Sequence, residues 1–203
     1  MLVQSMNALT ACFRGLSPSD DDMFDSLDGD DEAKNAAVAI ARQDPGMVAL
    51  RQRTEQAISG VVQVWSGDSE VADAISSLLK QATLSATDTL VSLSALPLLT
   101  LVCAACECQP SALWMQLAST LTLRIGTATS PLQLKRDRTP QEEEAKLEED
   151  KGRWAVVGDA GSRLAVIASQ MLAREGGMQE NPDVVEAWFK LSSAVSSEQG
   201  KSV

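Results

Sequence analysis

Residues 48–84 run VALRQRTEQAISGVVQVW, then SGDS, then EVADAISSLLKQATL. Val48–Trp65 places Leu50, Ala57, Ile58, Val61, Val64 and Trp65 at three- and four-residue steps. Val71–Leu84 does the same with Val71, Ala74, Ile75, Leu78, Leu79 and Ala82. That spacing predicts two helices, each with one apolar stripe. The break Ser66-Gly67-Asp68-Ser69 is short enough to make them antiparallel neighbours. Gly67 suits a left-handed helix stop, and Asp68 or Ser69 suits the next N-cap. A lone helical hairpin cannot bury both stripes, so the pattern calls for similar units on either side.

Composition agrees with a helical core. The 203 residues are 44% hydrophobic but only 3% aromatic, with no Tyr. A core of Ala, Val, Leu and Ile suits close-packed helices better than a sandwich or barrel. The formal net charge of −11 disfavours nucleic acid and anionic membranes and favours basic partners. The plainer reading is a protein kept soluble by its charge. The chain has no His, which removes the commonest general base, the usual partner of a Ser or Cys nucleophile and the commonest metal ligand. With no phosphate loop and no nucleophile motif either, the residues point away from an enzyme. No catalytic, cofactor-binding or metal-ligating residue is expected.

Upstream, Met1–Gly15 shows a helical pattern (Val3, Met6, Leu9, Ala11, Phe13) with no cap before it. Residues 17–46 form an acidic loop. Its run Asp20–Asp31 superficially resembles a calcium loop but lacks the closing Glu at the twelfth position, because that position holds Asp31 or Ala33. Ala33–Arg42 has the makings of a short helix, and Gln43–Gly46 leads into the hairpin.

Downstream, Thr87 or Asp88 suits the cap of a helix over Leu90–Cys108. Gln109-Pro110-Ser111 then turns into Ala112–Ile125, which Gly126 ends. Pro97 inside the first of these should kink it. Leu90–Cys106 is apolar, but Ser92, Ser94, Pro97 and Thr100 favour a buried helix over a membrane span. Residues 127–159 form a charged insertion. Within Ser130–Asp159, Gln141–Lys151 is almost wholly charged and has no stripe to bury, and the segment reads as an exposed helix or a disordered insertion. Residues 160–195 return to a helical pair, Arg163–Arg174 and Val184–Val195, broken at Glu175-Gly176-Gly177. Asn181 suits its inner N-cap and Pro182 its first helical position. Residues 196–203 form a polar tail.

The inner turns test for a repeat. Asp68-Ser-Glu-Val71 and Gln109-Pro-Ser-Ala112 lie 41 residues apart, and Asn181-Pro-Asp-Val184 follows after 72. The excess of 31 is close to the 30 residues of Ser130–Asp159. A helical pair recurring every 40–47 residues is the signature of HEAT and armadillo arrays. The expected fold is therefore all-α: a HEAT/armadillo-like helical-hairpin solenoid of about three pairs, with an uncapped N-terminal helix. An array that opens uncapped at Met1 is the pattern expected of a fragment, from a longer chain or a truncated gene model.

Leu16-Ser17-Pro18-Ser19-Asp20, the acidic loop, Trp65, Glu70-Val71-Ala72-Asp73-Ala74, Ser111-Ala112-Leu113 and Asn181-Pro182-Asp183-Val184-Val185 together resemble the C-terminal half of importin-β-type nuclear transport receptors. Within that family they are similar to the branch that holds importin 13 and transportin-SR. The likeness spans residues 1–126 and 160–195 as a scattered pattern, and Ser130–Asp159 departs from it. It implies a HEAT-repeat superhelix that carries protein into the nucleus without catalysis and is found in nucleus and cytoplasm. It also implies basic protein cargo, possible contacts with nuclear pore proteins, and a Ran GTPase surface mainly in N-terminal repeats that this sequence does not contain. The alternative is a generic armadillo-like scaffold subunit.

Candidate partner-binding residues are Trp114 and Trp188, near the starts of second-of-pair helices, and the acidic Asp20, Asp21 and Asp22. For both tryptophans the plainer reading is packing. Asp20–Asp22 also follow Ser17 and Ser19, a pattern for acid-directed phosphorylation. Cys103, Cys106 and Cys108 have redox or metal spacing, but no fourth ligand lies nearby, and they sit near a helix end and not at its start. Buried thiols are the simpler reading. Glu142–Glu144 with Glu148–Asp150 is a solvated charge run. Lys135-Arg136-Asp137-Arg138 is a short basic cluster best matched to those adjoining acids.

Overall fold

The computed structural model describes residues 1–15, 40–41, 43–84, 93–128 and 140–199. Among these the regular elements are all helical: α1 (Leu2–Gly15), α2 (Pro45–Trp65), α3 (Ser69–Leu84), α4 (Ala95–Cys108), α5 (Ala112–Ala128), α6 (Pro140–Leu172), α7 (Gly177–Glu180) and α8 (Pro182–Gln199). The chain divides into two units, Met1–Ser94 and Ala95–Val203. No described helix is long and apolar enough to cross a membrane.

In the first unit α3 is the central element. Every member of its stripe (Val71, Ala74, Ile75, Leu78, Leu79 and Ala82) is buried. Burying a Leu or Ile fully contributes about 1.5–3 kcal/mol, so this one face supplies much of the unit's cohesion. Asp68 caps the helix: its Oδ1 accepts from the Val71 N–H at 3.0 Å. Helix α1 lies broadly along α3, whereas α2 touches α3 over a short line. Met6, Thr10 and Phe13 are buried in α1, and the Thr10 hydroxyl donates to the Met6 carbonyl at 2.9 Å.

Helix α2 departs from its expected stripe. Ile58 and Val62, one turn apart, are buried, while Leu50 is 47% and Val64 73% exposed, and Trp65 and Ala57 also face solvent. The narrow contact with α3 accepts one turn's width of side chains and no more. The helix also starts three residues before Val48. Asp44 Oδ1 accepts from the N–H groups of Gly46 at 2.8 Å and Met47 at 3.2 Å, and Pro45 takes the first helical position, where its missing N–H costs nothing. Gly67 is not in the left-handed region. The α2 terminus closes with Ser66 in helical geometry, its N–H bonded to the Val62 carbonyl.

The second unit consists of two helical pairs. α4 packs on α5 and α6 on α8, and across the pairs α4 meets α6 while α5 meets α8. First helices thus lie on first helices and second on second. Leu98, Leu99, Val102, Trp114, Met115, Leu117, Leu121, Leu164 and Leu191 are fully or almost fully buried.

Several sequence expectations change here. The helix expected from Leu90 starts at Ala95, and its proposed cap at Thr87 or Asp88 lies outside the described residues. Pro97 therefore falls in the first turn of α4, where the backbone N–H has no intrahelical partner to lose, and it has no reason to kink the helix. Gly126 does not stop α5, which continues to Ala128. The division expected at residue 159 falls inside α6, one helix of 33 residues. Residues 140–159 are its first half, and residues 130–139 lie outside the described part. Glu148–Lys151, Glu149–Arg153 and Asp150–Arg153 ion pairs run along that half, which suits a helix with little apolar face. Part of the expected polar tail is helical, since α8 reaches Gln199.

The break at Glu175-Gly176-Gly177 is present as a turn. Gly176 has φ +75°, and a Cβ on Gly177 would stand 2.7 Å from the Met171 carbonyl oxygen and 2.9 Å from that of Leu172. Pro182 opens α8 as expected, but the Asn181 side chain turns back and donates to the Gly177 carbonyl at 2.9 Å.

Candidate functional site

The Gly176-Gly177 turn folds α8 back antiparallel along α6. Where the two helices run side by side, an open groove of about 420 Å³ remains between them. Gly158, Gly161 and Ala165 of α6 form its floor, and Trp188, Leu191, Ser192 and Val195 of α8 form the facing wall. The α6 positions recur at three- and four-residue steps, so they form one small-residue stripe along the helix. Trp188 is half-buried against this stripe. Phe189, next to it, is 68% exposed, and Val166 of α6 is also exposed.

The polar lining residues are three serines, Ser162, Ser192 and Ser196. Ser162 Oγ donates to the Gly158 carbonyl at 2.9 Å, so its hydroxyl is satisfied within its own helix. The Ser192 Oγ is buried and has no hydrogen-bond partner among the described residues. The groove offers shape and apolar surface with one unsatisfied hydroxyl. No His, Asp, Glu or Lys is among its lining residues.

The roughly opposite face of α6 carries a two-pronged ion pair. Arg163 donates from Nε to Glu107 Oε1 at 2.6 Å and from a terminal nitrogen to Oε2 at 2.7 Å, tying α6 to the end of α4. Asp159 lies 3.5 Å from the same guanidinium. The Arg163 hydrogen bonds hold the Glu107 carboxyl below its ordinary value of 4.5 and raise the pKa of the guanidinium in turn. Below this bridge, burial pushes the Cys103 thiol up to about 12 and also raises Cys106. Both stay protonated near neutral pH and are poor nucleophiles or ligands. Cys12 and Cys108 are exposed, all four thiols are free, and no cluster of potential metal ligands occurs among the described residues.

The residues singled out from sequence do not converge. Trp188 lines the groove. Trp114 is 0% exposed in α5 and presents no surface to a partner. Asp20, Asp21 and Asp22 lie outside the described residues, as do Ser17, Ser19 and the basic cluster Lys135–Arg138. Sequence reasoning missed Gly158, Gly161 and Ala165. Their signal was the spacing of small residues, which is visible only once 140–172 is treated as one helix.

Over the described residues, fold and groove together define an all-α protein of packed helix pairs with a groove between α6 and α8. No protein-family model, curated protein or solved structure matches the chain.

Proposed function

We propose that this chain is a non-catalytic, partner-binding helical segment that takes up a partner in the α6–α8 groove. The composition of the groove floor carries the reading. Glycine inside a helix costs about 1 kcal/mol relative to alanine. A Cβ at Gly158 would meet nothing within 4 Å, and at Gly161 it would meet only Val195 at an ordinary 3.6 Å. Packing within the chain therefore requires neither glycine, yet both keep the groove deep. A partner's apolar side chain seated there would offset their cost, and the −11 net charge would draw a basic, amphipathic segment toward it.

The more specific form of the proposal is a piece of an importin-β-type nuclear transport receptor. It would be a HEAT-like solenoid serving protein import between cytoplasm and nucleus, with basic cargo as partner. Contacts with nuclear pore proteins fit the same role, and Ran GTPase would act mainly through repeats outside this sequence. Two features support it: the scattered resemblance, and the stacking of first on first and second on second helices in residues 95–203. The broader alternative is an armadillo-like scaffold subunit of a cytosolic or nuclear assembly.

The test is binding of the folded chain to a core histone, a Lys- and Arg-rich nuclear protein, beside an acidic protein of similar size. Gly158→Leu should fill the groove, leave the melting temperature unchanged or slightly raised, and weaken histone binding at least tenfold. Trp188→Ala should weaken it as well. Histone binding that neither variant changes would remove the groove from the reading. Microscopy of a tagged chain separates the two forms: confinement to a single cytosolic assembly would rule out the transport role.

A further inference from the structure

We draw no further inference here: the strongest candidate, the α6–α8 groove floored by Gly158 and Gly161 with the buried Ser192 hydroxyl beside it, belongs to the site already described, and nothing in the structure shows what fills it.

Discussion

Gly177 sits where the chain leaves α6, with two carbonyl oxygens within 3 Å of where a Cβ would stand. Those atoms are backbone and cannot swing aside. Gly177→Ala should therefore destabilise the second unit by about 1–3 kcal/mol, in the range of overpacked cores, and thermal melting would read it. Glu107 makes a smaller contribution, because it and Arg163 are both more than a third exposed. Glu107→Gln should cost no more than about 1 kcal/mol at neutral pH. The folded pKa of this carboxyl is lowered, so its contribution is present above the ordinary 4.5 and is lost as pH falls through the lowered folded value. The melting-temperature gap between wild type and Glu107→Gln should narrow as pH falls from the ordinary 4.5 through the lowered folded value; a gap that stayed constant under acid titration would refute the assignment. The thiols give a third check. A thiol reagent at pH 8 should modify Cys12 and Cys108 rapidly in the folded chain and reach Cys103 and Cys106 only after denaturation. Rapid reaction of all four in the folded chain would contradict the buried placement.

At the scale of elements, Pro97 separates a helix that starts at Leu90 from one that starts at Ala95. In a helix interior, proline costs about 3 kcal/mol, so its replacement would stabilise the chain markedly. In the first turn of α4, Pro97→Ala should change stability by less than about 0.5 kcal/mol, measured by denaturant unfolding. Helix α6 carries the same lesson on a larger scale. Its charged opening, Gln141–Lys151, has no stripe, and stripes are what make a helix legible from sequence. Pro140 at its first position and the i to i+4 charge pairs were the available signals. The tail was underestimated for a related reason: Ser196 onward is polar, yet it continues a helix already nucleated by the buried Val184, Ala187, Leu191 and Ala194.

For the whole molecule, charge is the property that acts at a distance. A chain of net charge −11 should bind a basic protein faster and tighter at low salt, with affinity falling several-fold between about 0.05 and 0.2 M salt. Titrating the histone complex at several salt concentrations would measure this. A salt-independent affinity would leave only the apolar groove as the source of binding. The helical pairs of residues 95–203 are also a whole-unit property. They rest on α4 meeting α6 and α5 meeting α8, contacts between residues far apart in sequence.

The sequence alone determined that the chain is helical, where most helices turn, and that α3 is buried along its stripe. These follow from periodicity, caps and turn residues, all of which act within a few positions of one another. Pro182 as a helix start and the Gly176-Gly177 break were legible on the same grounds. Tertiary structure decided which apolar residues find a partner. Of Val71–Leu84 and Val48–Trp65, the second has the weaker stripe, but only the packing shows how far they differ: α3 buries its whole stripe and α2 only Ile58 and Val62. It also decided that Trp114 is core while Trp188 lines a groove, although both lie near the starts of second-of-pair helices. A stripe is a local property of one helix. Burial depends on what lies across from it, and the groove exists only because α8 returns along the glycines of α6.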